Sequence, residues 1–384
     1  MGDAAVGDGP AKEGRVRVDG LPRRLMLGLP RHRMLGLPRH RKLGMPRRLM
    51  LGMPRRHMLG IAAGVLLAAD GAPWWSSAAA VEVDKALNPY EKISGEVAGT
   101  LKCVGSDTMN NLVALWAEGF KKSYPGIREG IEGKGSASAP PALTEGTCSF
   151  APMSRDWKDS EVDSFKQKHG YPPTVVPVAI DMLAVFVHKD NPLKELTLQQ
   201  VDSIFSKNRN GGLKTEIRTW GDLGLEGEWK DRAISLYGRN ATSGTYGYFK
   251  ENALFKGDFK PTVKEQPGSS AVVQAVASDR FGIGYSGIGY RTADVRAVPL
   301  APTAGAKAVV PEAEFAYSGE YPLSRFLFLS VNHRKGMPLD PLRREFLRYV
   351  LSASGQADVI KDGYLPITAP IARRGLESVG IAPR

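Results

Sequence analysis

Along most of the chain, short runs of apolar residues alternate with segments whose apolar positions recur every three or four residues. Residues 101–104 form the first strand-like run, and residues 108–123 then follow a helical period. Further strands are predicted at 149–151, 234–237 and 281–285, and further helices at 246–253, from Asp340-Pro341 onward, and before Gly363 as a final short helix. Alternation of this kind predicts an α/β fold in which helices cover a sheet.

Two apolar runs, at 175–187 and 323–331, are much longer than the others and have the composition of buried strands. They bracket a middle section of about 135 residues, as expected when a chain crosses from one lobe to a second and later returns. We therefore predict that lobe I comprises 96–183 and 323–384 and that lobe II comprises 184–322. A cleft between two lobes is a common place for a ligand.

The charge of the chain is unevenly distributed. Of its 384 residues, 42% are hydrophobic, which is enough for sizeable cores and excludes global disorder. The net charge is +12, but residues 1–60 alone hold 14 Lys and Arg against four acids. Residues 81–384 hold 38 Lys and Arg against 35 Asp and Glu, a net of +3. The body of the protein therefore offers no basic groove, and we predict that nucleic acid is not a partner.

Residues 1–52 are predicted to be a repetitive basic leader. Between residues 20 and 59, an eight-residue unit that begins Gly-Leu-Pro-Arg or Gly-Met-Pro-Arg occurs five times. A glycine and a proline in every unit forbid a regular helix or a central strand. The segment is either a disordered tail or translated from upstream of the true start, for which Met45, Met50 and Met53 are candidates. The alternative is a basic arm that binds nucleic acid or membrane.

Residues 53–80 have the order of parts found in a secretory signal peptide. A basic head precedes eleven mostly apolar residues at 59–69, and Ala78 and Ala80 are the small residues needed for cleavage before Val81. An apolar run of this length is too short to span a bilayer, which needs about 20 residues. We predict export to the periplasm; the alternative is a buried hydrophobic helix.

The chain has two cysteines, Cys103 and Cys148. Export would place them in an oxidising compartment, where they could form a disulfide. The alternative is that both are small residues buried in neighbouring strands. Their spacing is compatible with either interpretation.

Few residues are available for catalysis or metal binding. The histidines beyond the signal peptide, His169, His188 and His333, are far apart, and none has a partner at metal-binding spacing. No Gly-x-Ser-x-Gly motif occurs, and the Gly-x-Gly-x-x-Gly match at 282–287 is not followed by a helical pattern. We therefore predict no metal site, no cofactor and no enzymatic activity.

Four polar loops carry the strongest chemical signal. They occupy 105–108, 133–138, 153–155 and 238–245, are rich in Ser, Thr and Gly, and lie where predicted strands end. The first and the last run directly into predicted helices, whose N-termini offer free N–H groups and a partial positive charge. Hydroxyl donors, close backbone approach at glycine and helix N-termini together predict a site for an oxyanion.

Over about residues 96–370 the sequence resembles the phosphate-binding proteins of the bacterial ABC phosphate-uptake system. Residues 239–245 (Arg-Asn-Ala-Thr-Ser-Gly-Thr) match the Arg-x-x-x-Ser-Gly-Thr anion loop of that family, and Ser154 follows Ser136 at the family's spacing of 18 residues. Residues 321–325 and 362–366 are typical of the return to the first lobe and of the closing tail. The resemblance implies a two-lobed periplasmic-binding-protein fold, with a mixed, mostly parallel sheet and flanking helices in each lobe and two hinge crossovers.

By position, the resemblance implies that phosphate is held by hydroxyl groups, backbone amides and one arginine. The implied ligand residues are Ser106, Thr108, Ser136, Arg239, Ser243, Gly244 and Thr245. Arg239 would supply the one full positive charge, as a planar fork that suits two phosphate oxygens at once. The last three residues would bind from the N-terminus of a helix in lobe II.

The sequence departs from the family at the position of Ser154, where better-known members carry an Asp that accepts the proton of phosphate and repels sulfate. A second family Asp is replaced by Ala241. A missing acceptor changes the balance between the two anions by ~1–3 kcal/mol. We hypothesise that Asp107 reaches the ligand and replaces that acceptor. The alternative is that Asp107 caps the helix that begins near Thr108.

Together these features predict an exported, monomeric receptor that captures inorganic phosphate in the cleft and delivers it to a membrane ABC permease. One alternative is the same fold adapted to another oxyanion, such as sulfate, molybdate or arsenate. A second is a secreted phosphatase, although no nucleophile–base pair or metal cluster is found. A third is a surface or signalling protein that responds to phosphate occupancy.

Overall fold

The computed structural model describes residues 81–382. The predicted leader (1–52) and signal peptide (53–80) lie outside the described residues. None of the helices within 81–382 combines the length and the apolar composition that crossing a bilayer requires.

The described chain alternates strands and helices. The strands are β1 (Gly99–Val104), β2 (Ile127–Glu132), β3 (Ala151–Met153), β4 (Thr174–His188), β5 (Leu196–Thr197), β6 (Ser235–Arg239), β7 (Lys264–Gln266), β8 (Gly282–Gly287), β9 (Val295–Ala297), β10 (Leu300–Ala301) and β11 (Ser324–Val331). The α-helices are α1 (Asn110–Ser123), α2 (Ala139–Thr144), α3 (Asp159–His169), α4 (Leu198–Phe205), α5 (Gly244–Asn252), α6 (Ser269–Ser278), α7 (Ala313–Ser318), α8 (Pro341–Val350), α9 (Ala353–Lys361) and α10 (Ala369–Ser378). Single turns of 3-10 helix at Asp107–Met109 and Ser136–Ser138 precede α1 and α2.

One sheet extends through both lobes, with the strand order β3-β11-β4-β8-β6-β7 and with β9 also paired to β4. The contacts of β4 and β11 with their neighbours are antiparallel, whereas β6 is parallel to both β7 and β8. In lobe I, β1 and β2 form a separate parallel pair, which one bridge between Cys103 and Phe150 connects to the β3 segment. The α/β architecture with two long crossing strands is the predicted one.

Strand β4 is the longer of the two crossovers. The apolar run at 175–187 forms one uninterrupted strand of 15 residues, and 12 consecutive residues within it are buried. Up to Met182 it pairs with β11, and from Leu183 onward it pairs with β8. We propose that this change of partner marks the lobe boundary, with lobe I formed by 96–183 and 323–384 and lobe II by 184–322.

Aromatic packing fixes the helices that carry the polar loops. In lobe I, α1 buries Trp116 and Phe120, and the Phe120 ring meets the Phe346 ring of α8 edge to face at 5.4 Å. In lobe II, the Phe249 ring of α5 stacks on the Tyr285 ring of β8, with centroids 3.9 Å apart. Burial of large rings supplies much of the stability of such cores. The start of α5 is therefore held in place against the sheet.

Several local predictions are confirmed, and one is wrong. Asp340 caps α8, since its Oδ1 accepts a hydrogen bond from the backbone N–H of Arg343 at 3.0 Å. Gly363 follows α9 with a left-handed φ of +82°, as predicted, but the helix it ends is not the last. Helix α10 follows, with Pro370 in its first turn. Proline is tolerated there because the first-turn N–H has no helical partner, so this proline starts a helix and does not break one.

The Gly-x-Gly-x-x-Gly match at 282–287 is strand β8 itself and contains no phosphate-binding turn. A Cβ on Gly284 would lie 2.9 Å from the side chains of Val272 and Val276 in α6. Glycine at this position lets the helix pack closely on the sheet. As the sequence indicated, no α-helix follows the motif: a 3-10 turn at Ile288–Tyr290 and strand β9 come next.

Both cysteines are free thiols in the structure. Cys103 is buried in β1, and Cys148 is partly buried in the loop before β3. Burial raises the pKa of Cys148 to about 11, so its thiol stays protonated near neutral pH. The disulfide considered above is therefore not formed here.

Candidate functional site

Three loops of lobe I bring their serine hydroxyls together at the carboxyl ends of β1, β2 and β3. The hydroxyl of Ser106 donates to Ser154 Oγ at 3.0 Å, and the Oγ atoms of Ser136 and Ser154 lie 3.2 Å apart. The backbone N–H of Ser154 also donates to Ser136 Oγ at 3.1 Å. All three side chains are buried, so this hydroxyl cluster is shielded from bulk water.

Lobe II contributes the N-terminus of α5. Ser243 is the N-cap of this helix, and its Oγ accepts hydrogen bonds from the backbone N–H groups of Thr245 and Tyr246 at 3.1 and 3.4 Å. The helix begins at Gly244, two residues before the predicted start. A helix N-terminus places partial positive charge at its first turn. The predicted anion loop is thus a strand end joined to a helix N-terminus.

The two sets of loops meet across the cleft. A Cβ on Gly244 would lie 2.3 Å from Ser136 Oγ and 2.5 Å from Ser154 Oγ, so glycine is what allows this approach. The hydroxyls of Thr108 and Thr245 are 2.8 Å apart. The structure therefore describes the protein with its lobes closed on one another.

Arg239 is the buried cation of the site. Its side chain is 2% exposed, and its Nη1 donates to Ser269 Oγ at 2.7 Å and lies 3.1 Å from Asp107 Oδ2. Its Nε is buried and has no hydrogen-bond partner among residues 81–382. Burial lowers the pKa of Arg239, and the charge of Asp107 opposes that shift. The guanidinium thus retains an unused donor inside the closed cleft.

The carboxylate of Asp107 crosses to lobe II and does not cap its own helix. Its Oδ2 accepts hydrogen bonds from the backbone N–H and the hydroxyl of Ser269, at 2.9 and 3.1 Å, at the start of α6. The 3-10 turn in which Asp107 lies has no side-chain cap. The capping alternative is therefore wrong for the turn at 107–109, because the carboxylate stabilises the N-terminus of a helix in the opposite lobe.

The seven ligand residues that the resemblance implies lie around this closed cleft, together with Asp107 and Ser154. The sequence interpretation missed Ser269, although 268–270 (Gly-Ser-Ser) follows β7 and opens α6, the signal used for the other loops. It also missed Tyr290 and Tyr364, whose hydroxyls donate to the Thr108 carbonyl at 3.2 and 2.8 Å. No sequence signal marks these tyrosines, because their contacts depend on chain segments more than 180 residues apart.

A buried ion pair lies beneath the site and was also missed. Arg325 of β11 donates through Nε and Nη2 to Asp181 Oδ2 of β4, at 3.0 and 2.7 Å. Each residue is the one charge in its long apolar run, and that was the available sequence signal. A charge inside a buried strand needs a partner. The sequence therefore already allowed the prediction that an ion pair joins the two crossing strands.

Within residues 81–382, no group of three or more His, Cys, Asp or Glu side chains is placed to hold a metal ion. The donors that surround the cleft are hydroxyls, backbone N–H groups and guanidinium groups. Groups of these kinds can all donate hydrogen bonds to an anion.

We expect Asp362, near the same crossovers, to make the stability of the protein depend on pH. Its Oδ2 is buried without a hydrogen-bond partner among the described residues, and burial, with the charge of Asp181, raises its pKa from 3.8 to about 7. The unfolded chain loses this proton more easily, so the stabilisation is complete at low pH and is lost as the pH rises through about 7. We expect the melting temperature to fall between about pH 4 and pH 7 and Asp362→Asn to remove part of that slope. Asp163→Asn, at an exposed site, is the control; an unchanged slope in Asp362→Asn would contradict the assignment.

Comparisons with known proteins agree with this geometry. A model of the PBP superfamily domain matches residues 91–354. A phosphate-binding protein PstS of Pseudomonas aeruginosa is 54% identical over 306 residues, which are 80% of this chain and 94% of that protein. A phosphate-binding protein PstS of Staphylococcus haemolyticus is 28% identical over 266 residues, 68% of this chain and 79% of that protein.

Solved structures show the same fold. A candidate phosphate ABC transporter substrate-binding protein of Clostridium perfringens, with bound phosphate, superposes with a TM-score of 0.60 at 25% identity, covering 70% of this chain and 100% of that one. An ABC-type phosphate transport receptor of Vibrio cholerae has a TM-score of 0.54 at 23% identity, with the same coverage. The chain therefore belongs to the PBP superfamily and, within it, to the PstS family of phosphate-binding proteins.

Proposed function

We propose that this protein is an exported, monomeric receptor that captures inorganic phosphate between its lobes and delivers it to a membrane ABC permease. One observation carries the proposal: buried hydroxyls from three loops of lobe I converge on the N-terminal turn of α5 in lobe II. The names of the PstS relatives, and the bound phosphate of the C. perfringens structure, support it. The proposed ligand residues are Ser106, Asp107, Thr108, Ser136, Ser154, Arg239, Ser243, Gly244 and Thr245.

The chemistry of these groups suits a tetrahedral oxyanion. Hydroxyls and helix N-terminal amides donate hydrogen bonds without adding net charge, and Arg239 supplies a donor fork with a full positive charge. Because the groups come from both lobes, the anion is held fully only when the lobes are closed. Differential affinity for the closed state is what would drive closure. The closed form would then be the one that a permease recognises.

Asp107 is the proposed acceptor for the proton that phosphate carries near neutral pH. Of the nine proposed ligand residues, only Asp107 has a carboxylate. The two positions at which the family carries an aspartate are occupied here by Ser154 and Ala241. Among residues 81–382, all hydrogen bonds to this carboxylate fall on Oδ2. Its Oδ1 remains to accept a ligand proton. Sulfate has no such proton and would meet only the negative charge.

Asp107→Asn is expected to weaken phosphate binding about tenfold and to strengthen sulfate binding, because a hydrogen bond involving a charged group contributes about 1.5–3 kcal/mol. Calorimetric titration with each anion measures both effects. A distorted site would weaken both anions, so opposite changes identify the lost acceptor. The exposed Asp294→Asn is the matched control and should bind both anions as the unmodified protein does. Unchanged selectivity in Asp107→Asn would refute the role.

The function itself is tested by titrating ligand-free protein with phosphate, sulfate, molybdate and arsenate. Tight phosphate binding without a response to sulfate supports the proposal. The serine at position 154 favours one second candidate, a receptor for another oxyanion, and comparable or exclusive binding of sulfate would select it. No response to any of these anions would reject both. Release of phosphate from a phosphoester would support the phosphatase alternative, and we expect none.

A further inference from the structure

The ion pair between Asp181 and Arg325 joins the two crossing strands directly below the site. The two residues are directly opposite one another in the antiparallel register of β4 and β11. Their side chains are 0% and 3% exposed, and the closest nitrogen–oxygen distance is 2.7 Å. Two hydrogen bonds from the guanidinium to one buried carboxylate oxygen fix the plane of the guanidinium.

The other N–H groups of Arg325 donate to residues on both sides of the cleft. Its Nη1 donates to the carbonyl oxygen of Ser154 at 2.8 Å, and its Nη2 donates to Thr245 Oγ1 at 2.9 Å. Ser154 belongs to a loop of lobe I, and Thr245 belongs to the first turn of α5 in lobe II. One guanidinium therefore contacts proposed ligand residues of both lobes.

The contact with Arg325 determines whether the hydroxyl of Thr245 acts as a donor or as an acceptor toward its other neighbours. A hydroxyl has one proton and two lone pairs, whereas arginine is a donor only, so Thr245 Oγ1 must accept from Arg325. The proton of Thr245 is then left to donate, either to Thr108 Oγ1 at 2.8 Å or to a ligand. If it donates to Thr108, the proton of Thr108 becomes the one available to the ligand. In both arrangements the pair of threonines presents a proton to the cleft.

We infer that Arg325 is a positioning residue of the anion site, which orients the hydroxyls of Thr245 and Thr108 as donors. This inference rests on the proposed phosphate-binding function. Arg325 acts through hydrogen bonds and adds no net charge, because Asp181 neutralises it. Its contribution therefore depends on the hydroxyl of Thr245 and on no other property of that residue.

The test is a double-mutant cycle on phosphate affinity, measured by calorimetry. Arg325→Lys keeps the charge opposite Asp181 but loses the planar fork, and we expect about a tenfold loss of phosphate affinity, the effect of one hydrogen bond. In a Thr245→Val background, which lacks the hydroxyl, the same substitution should change affinity less than twofold. In a Thr245→Ser background, which restores a hydroxyl, the tenfold loss should return.

A matched control separates this role from general damage. Arg296→Lys also alters a half-buried arginine. Within residues 81–382 the hydrogen bonds of Arg296 go to the backbone carbonyls of Asn191 and Leu193, away from the cleft, so this variant should leave affinity unchanged. If Arg325→Lys does not fold, a double variant that combines Asp181→Leu with Arg325→Met takes its place in the cycle. This variant removes both charges together and leaves no buried charge unpaired.

Each outcome is decisive for one of the two claims. Failure of the unmodified protein to bind phosphate would reject the proposed function. Binding by the unmodified protein with equal losses in all backgrounds, or with no loss in any, would overturn the role of Arg325. Where Thr245→Val binds too weakly to titrate, exchange of the Thr245 hydroxyl proton is followed by NMR in phosphate-saturated protein, with and without Arg325→Lys. Protection from exchange should be lost in Arg325→Lys, and unchanged protection would also overturn the role.

Discussion

Replacing Arg239 by methionine is expected to reduce phosphate affinity at least 1,000-fold, the largest of the losses that we predict. Each charge-assisted hydrogen bond to the anion contributes about 1.5–3 kcal/mol, and the arginine fork can make two. The substitution also leaves the carboxylate of Asp107 without its counter-charge, 3.1 Å from where the guanidinium was. That negative charge would then repel the ligand. Calorimetric titration with phosphate measures the loss.

Two further variants show whether geometry or charge is responsible. Arg239→Lys keeps a positive charge but loses the planar fork, so we expect an intermediate loss of about 100-fold. Arg232→Met removes an exposed arginine that lies over the ring of Phe281, 5.1 Å from its centroid, and should leave affinity unchanged. Melting curves without phosphate separate lost binding from lost stability. A methionine variant that binds phosphate as the unmodified protein does would remove Arg239 from the site.

Gly244→Ala is expected to prevent the lobes from closing and to weaken phosphate binding about 100-fold. The added methyl group would lie 2.3 Å from Ser136 Oγ and 2.5 Å from Ser154 Oγ. Neither hydroxyl can retreat, because both belong to the buried cluster in lobe I. Overpacking of this kind costs about 1–3 kcal/mol or more, and here the cost falls on the closed state alone. The open protein should be as stable as before.

Gly247→Ala is the matched control in the same helix. Its Cβ would meet Arg155 Cδ at 3.3 Å, and that long side chain can move aside. We expect Gly247→Ala to bind phosphate with unchanged affinity. Small-angle X-ray scattering with and without phosphate should show compaction in the control and none in Gly244→Ala. Full affinity in Gly244→Ala would mean that the contact between α5 and the serine cluster is not part of the binding state.

The pair formed by Asp107 and Arg239 connects selectivity to closure. The two residues lie in opposite lobes, and the Asp107 carboxylate also accepts from the start of α6. A carboxylate that bridges the lobes and also accepts a hydrogen bond from the ligand would favour lobe closure around phosphate over closure around sulfate, which has no proton to donate. Ser154 can therefore lack a carboxylate without loss of selectivity, provided that Asp107 has the role we propose.

Much of the fold follows from local pattern. The run at 175–187 contains too many consecutive apolar residues for a strand with a wet face, and it forms one buried strand that crosses between the lobes. Asp340 and Pro341 have the preferred residue types for the N-cap and the first helical position, and they begin α8. Such signals depend on residues that are close together in the chain, so they can be recognised from the sequence alone. Helix α10 was not predicted, and its Pro370 lies in the first turn, where a proline is tolerated.

The family and the presence of an anion site were also accessible from sequence. Residues 239–245 combine an arginine at a strand end with a Ser-Gly-Thr helix start, and the serines at 136 and 154 keep their family spacing. The comparisons with known proteins confirm the family. The first motif is contiguous because it is built on the single turn between β6 and α5, and the two serines lie on loops joined by a short stretch that contains α2 and β3.

The sequence by itself determined the alternation of strands and helices, the long crossing strands and the loops that carry hydroxyl donors. Only the tertiary structure decided where Asp107 points, since its partners Arg239 and Ser269 lie 132 and 162 residues away. It also decided that Arg325 meets both Asp181 and Thr245. Local signals depend on backbone geometry within one turn, whereas a charge chooses its partner only after the lobes have come together and excluded water.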